Sequence, residues 1–299
     1  MPCSIAIKAA LLTLLTLPVP AFAAPFDAGR VPADADGVGH LDMDALRRTV
    51  LYRMVSPRIS KGSHWTEVDA KLRPLARTLL DVAQGVTFWL TDRDTGAVLI
   101  QVPDGRRIQG LLDKIPHKAQ VRVAGHLARR YAFSDDDPSL AVMVGNQLIM
   151  ADDEASLAKA INAATGKGRS LAAARGVPDG ARGPGLFFFT ALNAKLLDKV
   201  KDAAQSATLR LSMSALTVHV AEIRSELRVR ARMTVGSAQE AQQLKSMAEG
   251  VIALASMSDE AAEARPFIKS VRVVATGKVI ELSLAMPTAD LVRLIESKK

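Results

Sequence analysis

The stretch Val86–Val102, VTFWLTDRDTGAVLIQV, reads as two β-strands around a short polar turn. Its arms are filled with β-branched, aromatic and aliphatic residues, and Gly96 lies at the break. A helix follows, because Pro103-Asp104-Gly105 leads into Ile108, Leu111, Leu112 and Ile115, the spacing of one helical face. The same succession recurs later in the chain. Leu216–Met233, LTVHVAEIRSELRVRARM, is again a pair of strands. Ser237 and Glu240 then form an S-x-x-E capping box before a helix carrying Ala241, Leu244, Met247 and Ala248.

Working outward from these hairpins, two further matches keep the same order. LAVMVGNQLIMADDEASLAKAI, from Leu140, parallels VRVVATGKVIELSLAMPTADLVRLI, from Val271; Gly145-Asn146 and Thr276-Gly277 mark the turns, and helices are expected over Ala155–Ala163 and Ala289–Ser297. Upstream, GHLDMDALRRTVLYRM (Gly39–Met54) lies without a gap over GLFFFTALNAKLLDKV (Gly185–Val200). The match aligns Leu46, Val50, Leu51 and Met54 with Leu192, Leu196, Leu197 and Val200, one face of a helix, and places Asp44 and Thr190 where a helix cap belongs.

Between the copies, residues 165–185 are dense in Gly, with Pro178 and Pro184, and read as a linker. The expected organisation is a first domain over 25–165, a linker over 166–184 and a second domain over 185–299, related by internal duplication. The first adds a helical segment from Thr66 to Ala83 and a strand-like run from Val121 to Phe133; the second adds a helical stretch near Glu260–Ile268. The predicted class is α+β, with largely antiparallel sheets and amphipathic helices packed on one face.

Residues 1–24 have the layout of a secretory signal peptide: Lys8, an apolar run from Ala9 to Leu17, then Ala21-Phe22-Ala23 as the cleavage site. The run is shorter than the roughly 20 apolar residues a membrane span needs. Removing this segment takes Cys3, the sole cysteine, with it and leaves a periplasmic or secreted chain stabilised by its core alone. Thiolate catalysis and Cys-rich zinc or iron–sulfur sites are thereby excluded from the mature chain. The full chain carries a net charge of +8, spread among acids, and aromatic residues make up 4%. So few stacking groups argue against single-stranded nucleic acid as a partner.

The segment VPADADGVGHLDMDALRRT (Val31–Thr49), with ADDEASLAKAINAATGKGRSL and SAQEAQQLKSMAEGV, resembles an uncharacterised family of exported bacterial proteins. Its members begin with a Val-Pro-Ala-Asp-Ala segment, a short strand and an Asp-hydrophobic-Asp-Ala-Leu helix start. The resemblance implies export and a duplicated α+β fold and transfers no site residue.

Compact catalytic motifs are absent from the sequence. The five histidines, His40, His64, His117, His126 and His219, form no H-E-x-x-H, and no G-x-S-x-G elbow or Walker loop occurs. Asp135–Asp137 reads as a turn and Asp152-Asp153-Glu154 as a helix start, so no metal, cofactor or catalytic residue is assigned. His40 and Asp42, two apart on a strand, share a face and are left as a polar feature without an assigned role.

One surface feature points to binding. From Leu227 to Met233, the apolar Leu227, Val229, Ala231 and Met233 alternate with Arg228, Arg230 and Arg232, which places three guanidinium groups on one face of a strand. These arginines are the candidate anion-binding residues, set against the reading the alternation itself favours, a solvated face in which they pair with Glu222 or Glu226. The leading expectation is a non-catalytic binding or interaction module with an anionic envelope component or a protein as partner. A hydrolase using residues gathered between the domains, or a carrier of an apolar ligand, are the alternatives.

Overall fold

A computed structural model describes residues 25–61, 72–91, 95–132, 138–181, 185–192, 213–257 and 265–297. The signal segment with Cys3, His64, the carboxylates Asp135–Asp137, the helix expected over 193–200 and the stretch 258–264 lie outside the described residues. The fold is α+β. Its contacts divide the chain into two compact units, Met1–Arg48 with Tyr52–Pro178, and Thr49–Leu51 with Asp179–Lys299.

The first unit contains strands β1 (Gly37–Asp42), β2 (Gly85–Leu90), β3 (Gly96–Gln101), β4 (Ala119–Val123), β5 (His126–Ala132), β6 (Pro138–Val144) and β7 (Gln147–Ala151). They join in the order β1-β2-β3-β7-β6-β5-β4, every neighbour antiparallel. Its helices are α1 (Met43–Arg47), α2 (Val50–Lys61, whose first two residues belong to the second unit), α3 (Arg73–Val82), α4 (Gly105–Leu112), α5 (Glu154–Ala164) and α6 (Leu171–Arg175). The stretch read as a linker thus holds a helical turn, capped by Ser170 and anchored by the fully buried Leu171. The run expected as one strand over Val121–Phe133 is a hairpin instead, because Ala124 (φ 47°) and Gly125 (φ 84°) turn the chain.

The second unit contains β8 (Phe187–Ala191), β9 (Ala215–Ile223), β10 (Glu226–Thr234), β11 (Val271–Thr276) and β12 (Val279–Pro287), in the order β8-β9-β10-β12-β11 and again antiparallel throughout. Its helices among the described residues are α7 (Ala238–Met257), α8 (Arg265–Ser270) and α9 (Thr288–Ser297). The order of its five strands repeats β1-β2-β3-β7-β6 of the first unit, which the hairpin β5-β4 extends.

In the first unit the helices divide between the two sheet faces. Helix α4 lies over the face that carries Met143, Tyr131 and Ala141: a Cβ on its first residue, Gly105, would stand 3.1 Å from the Met143 methyl, and Tyr131 donates a hydrogen bond of 3.2 Å to the Leu112 carbonyl. Helix α5, capped by Asp153, lies over the opposite face, where Glu154 pairs with Arg130. Both faces are therefore apolar, and Leu99, Ile149, Leu140, Leu148 and Ala141 are all buried. In the second unit α7 is the counterpart of α4. Half of the expected capping box forms: Ser237 Oγ accepts from the Glu240 N–H at 3.1 Å, while the Glu240 carboxylate accepts from the Gly236 N–H, one residue before the cap. Its Ala241 and Leu244 pack into a core with Met213, Val235, Phe189 and Met233.

Candidate functional site

The alternation along β10 sorts its side chains as the sequence indicates. Leu227 is buried beneath the helices, and Arg228, Arg230 and Arg232 are exposed on the other face. The sheet register shows what stands beside them. Arg228 faces Ala285 of β12, Arg230 faces Ser283 and Arg232 faces Glu281. One strand further, Arg272 of β11 lies opposite Ser283 and Val274 opposite Glu281. On the inner side, His219 of β9 is opposite Arg230. Burial and the nearby Arg230 both push the His219 pKa down, which favours a neutral imidazole.

This face holds four guanidinium groups and two carboxylates among the described residues of its strands. Glu226 pairs with Arg228 at 2.7 Å and Glu281 with Arg230 at 3.3 Å. Both pairs are well exposed, with Arg230 at 66%, so each contributes little to stability. Arg232 and Arg272 make no ion pair among the described residues, and two positive charges are left over. Glu222 takes no part in the face. Its carboxylate lies on the helix side and accepts the Val50 and Leu51 N–H groups at 2.7 and 3.0 Å, capping the start of α2.

Arg272, Ser283 and Glu281 are members of this face that the linear sequence does not reveal. Arg272 sits in an apolar run, VRVVA, with no alternation of arginines to single it out. Only the strand order β10-β12-β11 brings it beside Ser283 and Arg230.

The polar start of the first unit is arranged differently from the expectation. Strand β1 ends at Asp42, and Asp42 itself is the helix cap: its carboxylate accepts the Ala45 N–H at 2.7 Å. Asp44 is not the cap. It is a buried residue of the first helical turn, 4% exposed, in an ion pair of 2.9 Å with Arg47, which is 7% exposed and also donates to the Leu80 carbonyl. Burial raises the Asp44 pKa against the pull of Arg47, and burial likewise pushes the neighbouring Tyr52 up to about 12. Thr190, its expected counterpart, is no cap either. It lies within β8 and meets Thr217 across the sheet at 3.3 Å. The ungapped match would end β8 at Phe188; the strand ends at Ala191, three residues later.

His40 is buried, with Nδ1 2.9 Å from Thr87 Oγ1 and its ring 5.8 Å from that of Phe26. Beside it Asp27, Arg30 and Gln101 line a space of about 10 Å³, room for roughly one water. A larger groove of about 210 Å³ opens between α4 and β5, lined by Leu112, Leu127, Tyr131 and Arg129. It is smaller than ordinary small-molecule pockets of about 300–1,000 Å³. Among the described residues, no three His, Cys, Asp or Glu side chains come together as a metal site, and no helix is long and apolar enough to cross a membrane.

No protein-family model matches the chain, and no curated protein sequence matches it. Solved structures do resemble it. Crystal form III of TP0453 superposes with a TM-score of 0.54 at 10% identity, covering 92% of this chain and 99% of that one. Form IV gives 0.53 at 10% identity over 91% and 97% of the two chains, and form I gives 0.50 at 12% over 92% and 98%. At this identity the likeness is one of fold alone.

Proposed function

We propose that this chain is an exported, non-catalytic binding module, periplasmic or secreted after loss of residues 1–24, and that its working surface is the arginine face of the second unit. The observation that supports it is the gathering of Arg228, Arg230, Arg232 and Arg272 on one open sheet face with, among the described residues of its strands, Glu226 and Glu281 to balance them. Arginine at such density suits phosphate and carboxylate groups, whose oxygens match the planar guanidinium fork. The partner is an anionic component of the envelope. Its capture by exposed charges is salt-dependent, since the Debye length is about 8 Å at physiological ionic strength. The test is co-sedimentation with purified envelope fractions. The triple substitution Arg228→Gln, Arg230→Gln and Arg232→Gln is expected to reduce binding at least tenfold; unchanged binding would remove this face from consideration.

A second reading, a protein partner, is favoured by helix α7. Its C-terminal half exposes Met247 (49%), Val251 (65%), Leu254 (72%) and Met257 (80%) at helical spacing. A helix that is apolar on its outer side as well as its inner side is normally covered. Under this reading the pair Val251→Glu and Leu254→Glu abolishes a crosslinked complex that the triple arginine variant retains.

A further inference from the structure

Arg230, Ser283 and Arg272 stand on three neighbouring strands in one row, with Ser283 on the middle strand. The β-carbons of the outer two are separated by two strand spacings, about 10 Å, a span that long side chains close from either side. Neither the Ser283 hydroxyl nor the Arg272 guanidinium makes a side-chain hydrogen bond to another described residue. Glu281 approaches the Nε of Arg230 at 3.3 Å, and that guanidinium, 66% exposed, has further N–H donors to offer a ligand. Arg232, opposite Glu281, stands one position along the strand pair.

We propose that Arg230, Ser283 and Arg272 form a binding site for the phosphate monoester group of an envelope component, with Arg232 as a fourth contact at its edge. This rests on the reading of the arginine face as the working surface and names the chemistry it selects. Among the described residues the charge left over on the face is +2, which matches the dianion that a phosphate monoester becomes near neutral pH. The shape agrees. A tetrahedral group with three terminal oxygens takes one guanidinium on each side and the Ser283 hydroxyl beneath, whereas a carboxylate satisfied by one bidentate arginine leaves the other uncompensated. Glu281 opposes the ligand as a like charge, so the site is tuned below its full affinity by a residue that can be changed.

Calorimetric titration of the full chain with inorganic phosphate and glucose 6-phosphate tests the assignment, with acetate as the carboxylate comparison and phosphatidate vesicles as the lipid-borne source. Both phosphates are expected to bind more tightly than acetate. Arg272→Gln and Arg230→Gln should each weaken phosphate binding about tenfold and Ser283→Ala about threefold. Glu281→Gln should tighten it, and Arg228→Gln should change it less than twofold. A diffuse cationic surface would respond to Arg228 as strongly as to Arg272, and that result overturns the site. Acetate binding as tightly as phosphate overturns it too, as does binding confined to the vesicles. Wild-type phosphate affinity in Arg272→Gln, together with loss of envelope binding in the triple arginine variant, would remove this site while leaving the broader reading of the face intact.

Discussion

Asp42 and Asp44 are the same residue type two positions apart, and the fold gives them opposite tasks. Asp42 stands half in the strand, where its carboxylate reaches a free N–H of the first turn; Asp42→Ala is expected to cost about 1 kcal/mol by chemical denaturation. Asp44 is turned inward against Arg47. Removing one partner of a buried pair leaves the other charge unmatched, so Arg47→Met should cost about 3–5 kcal/mol, and adding Asp44→Asn should return a large part of that. The sign of the pH dependence follows from the raised Asp44 pKa. The folded state holds this proton more tightly than the unfolded state, so its contribution is most favourable near and below 3.8 and declines as the pH rises through the raised value. Wild type should therefore gain on Asp44→Asn as the pH falls toward 3.8. The D-x-D spacing was readable in the sequence; which carboxylate caps was not, because that depends on where β1 ends, a boundary that shifts by a residue without changing any pattern.

At the scale of elements, the hairpins and the helices that follow them were legible because alternation and helical spacing both bear on the same core. The turns were less so. Arg224 (φ 54°) and Ser225 (φ 64°) carry the β9–β10 turn without a glycine, and Ala124-Gly125 breaks a run whose arms continue the same β-rich composition. Gly39 is needed for a different reason: in mid-strand it lies opposite Phe88, and a Cβ there would come within 2.2 Å of the ring. The ring fills the side-chain space that the glycine leaves on the sheet. Gly39→Ala should destabilise by about 1–3 kcal/mol through overpacking. The double variant with Phe88→Leu should cost less than the two single changes together, a coupling that urea denaturation of all four proteins will measure.

At the scale of the whole molecule, two units with the same strand order treat the same face in opposite ways. In each unit the helix after the third strand, α4 or α7, covers one face. The other face of the first unit is buried under α5, with Leu99 at 4% exposure and Ile149 at 0%. Its counterpart in the second unit presents arginines to solvent. The recurrence of the motifs could be read from the sequence, but this asymmetry could not. A solvent-facing strand is recognised by its alternation, whereas a strand in a sheet with helices on both sides loses that alternation, as in AVLI of β3. An open antiparallel face calls for polar side chains whatever its role, and the arginines meet that demand in the second unit. The consequence is a contrast between two substitutions. Leu99→Arg places an unpaired charge under α5 and should cost about 4–5 kcal/mol. Arg230→Leu removes an exposed ion pair and should leave stability within about 0.5 kcal/mol of wild type. Chemical denaturation of the two variants decides the matter: a loss of several kcal/mol for Arg230→Leu would mean that the arginine face holds the second unit together.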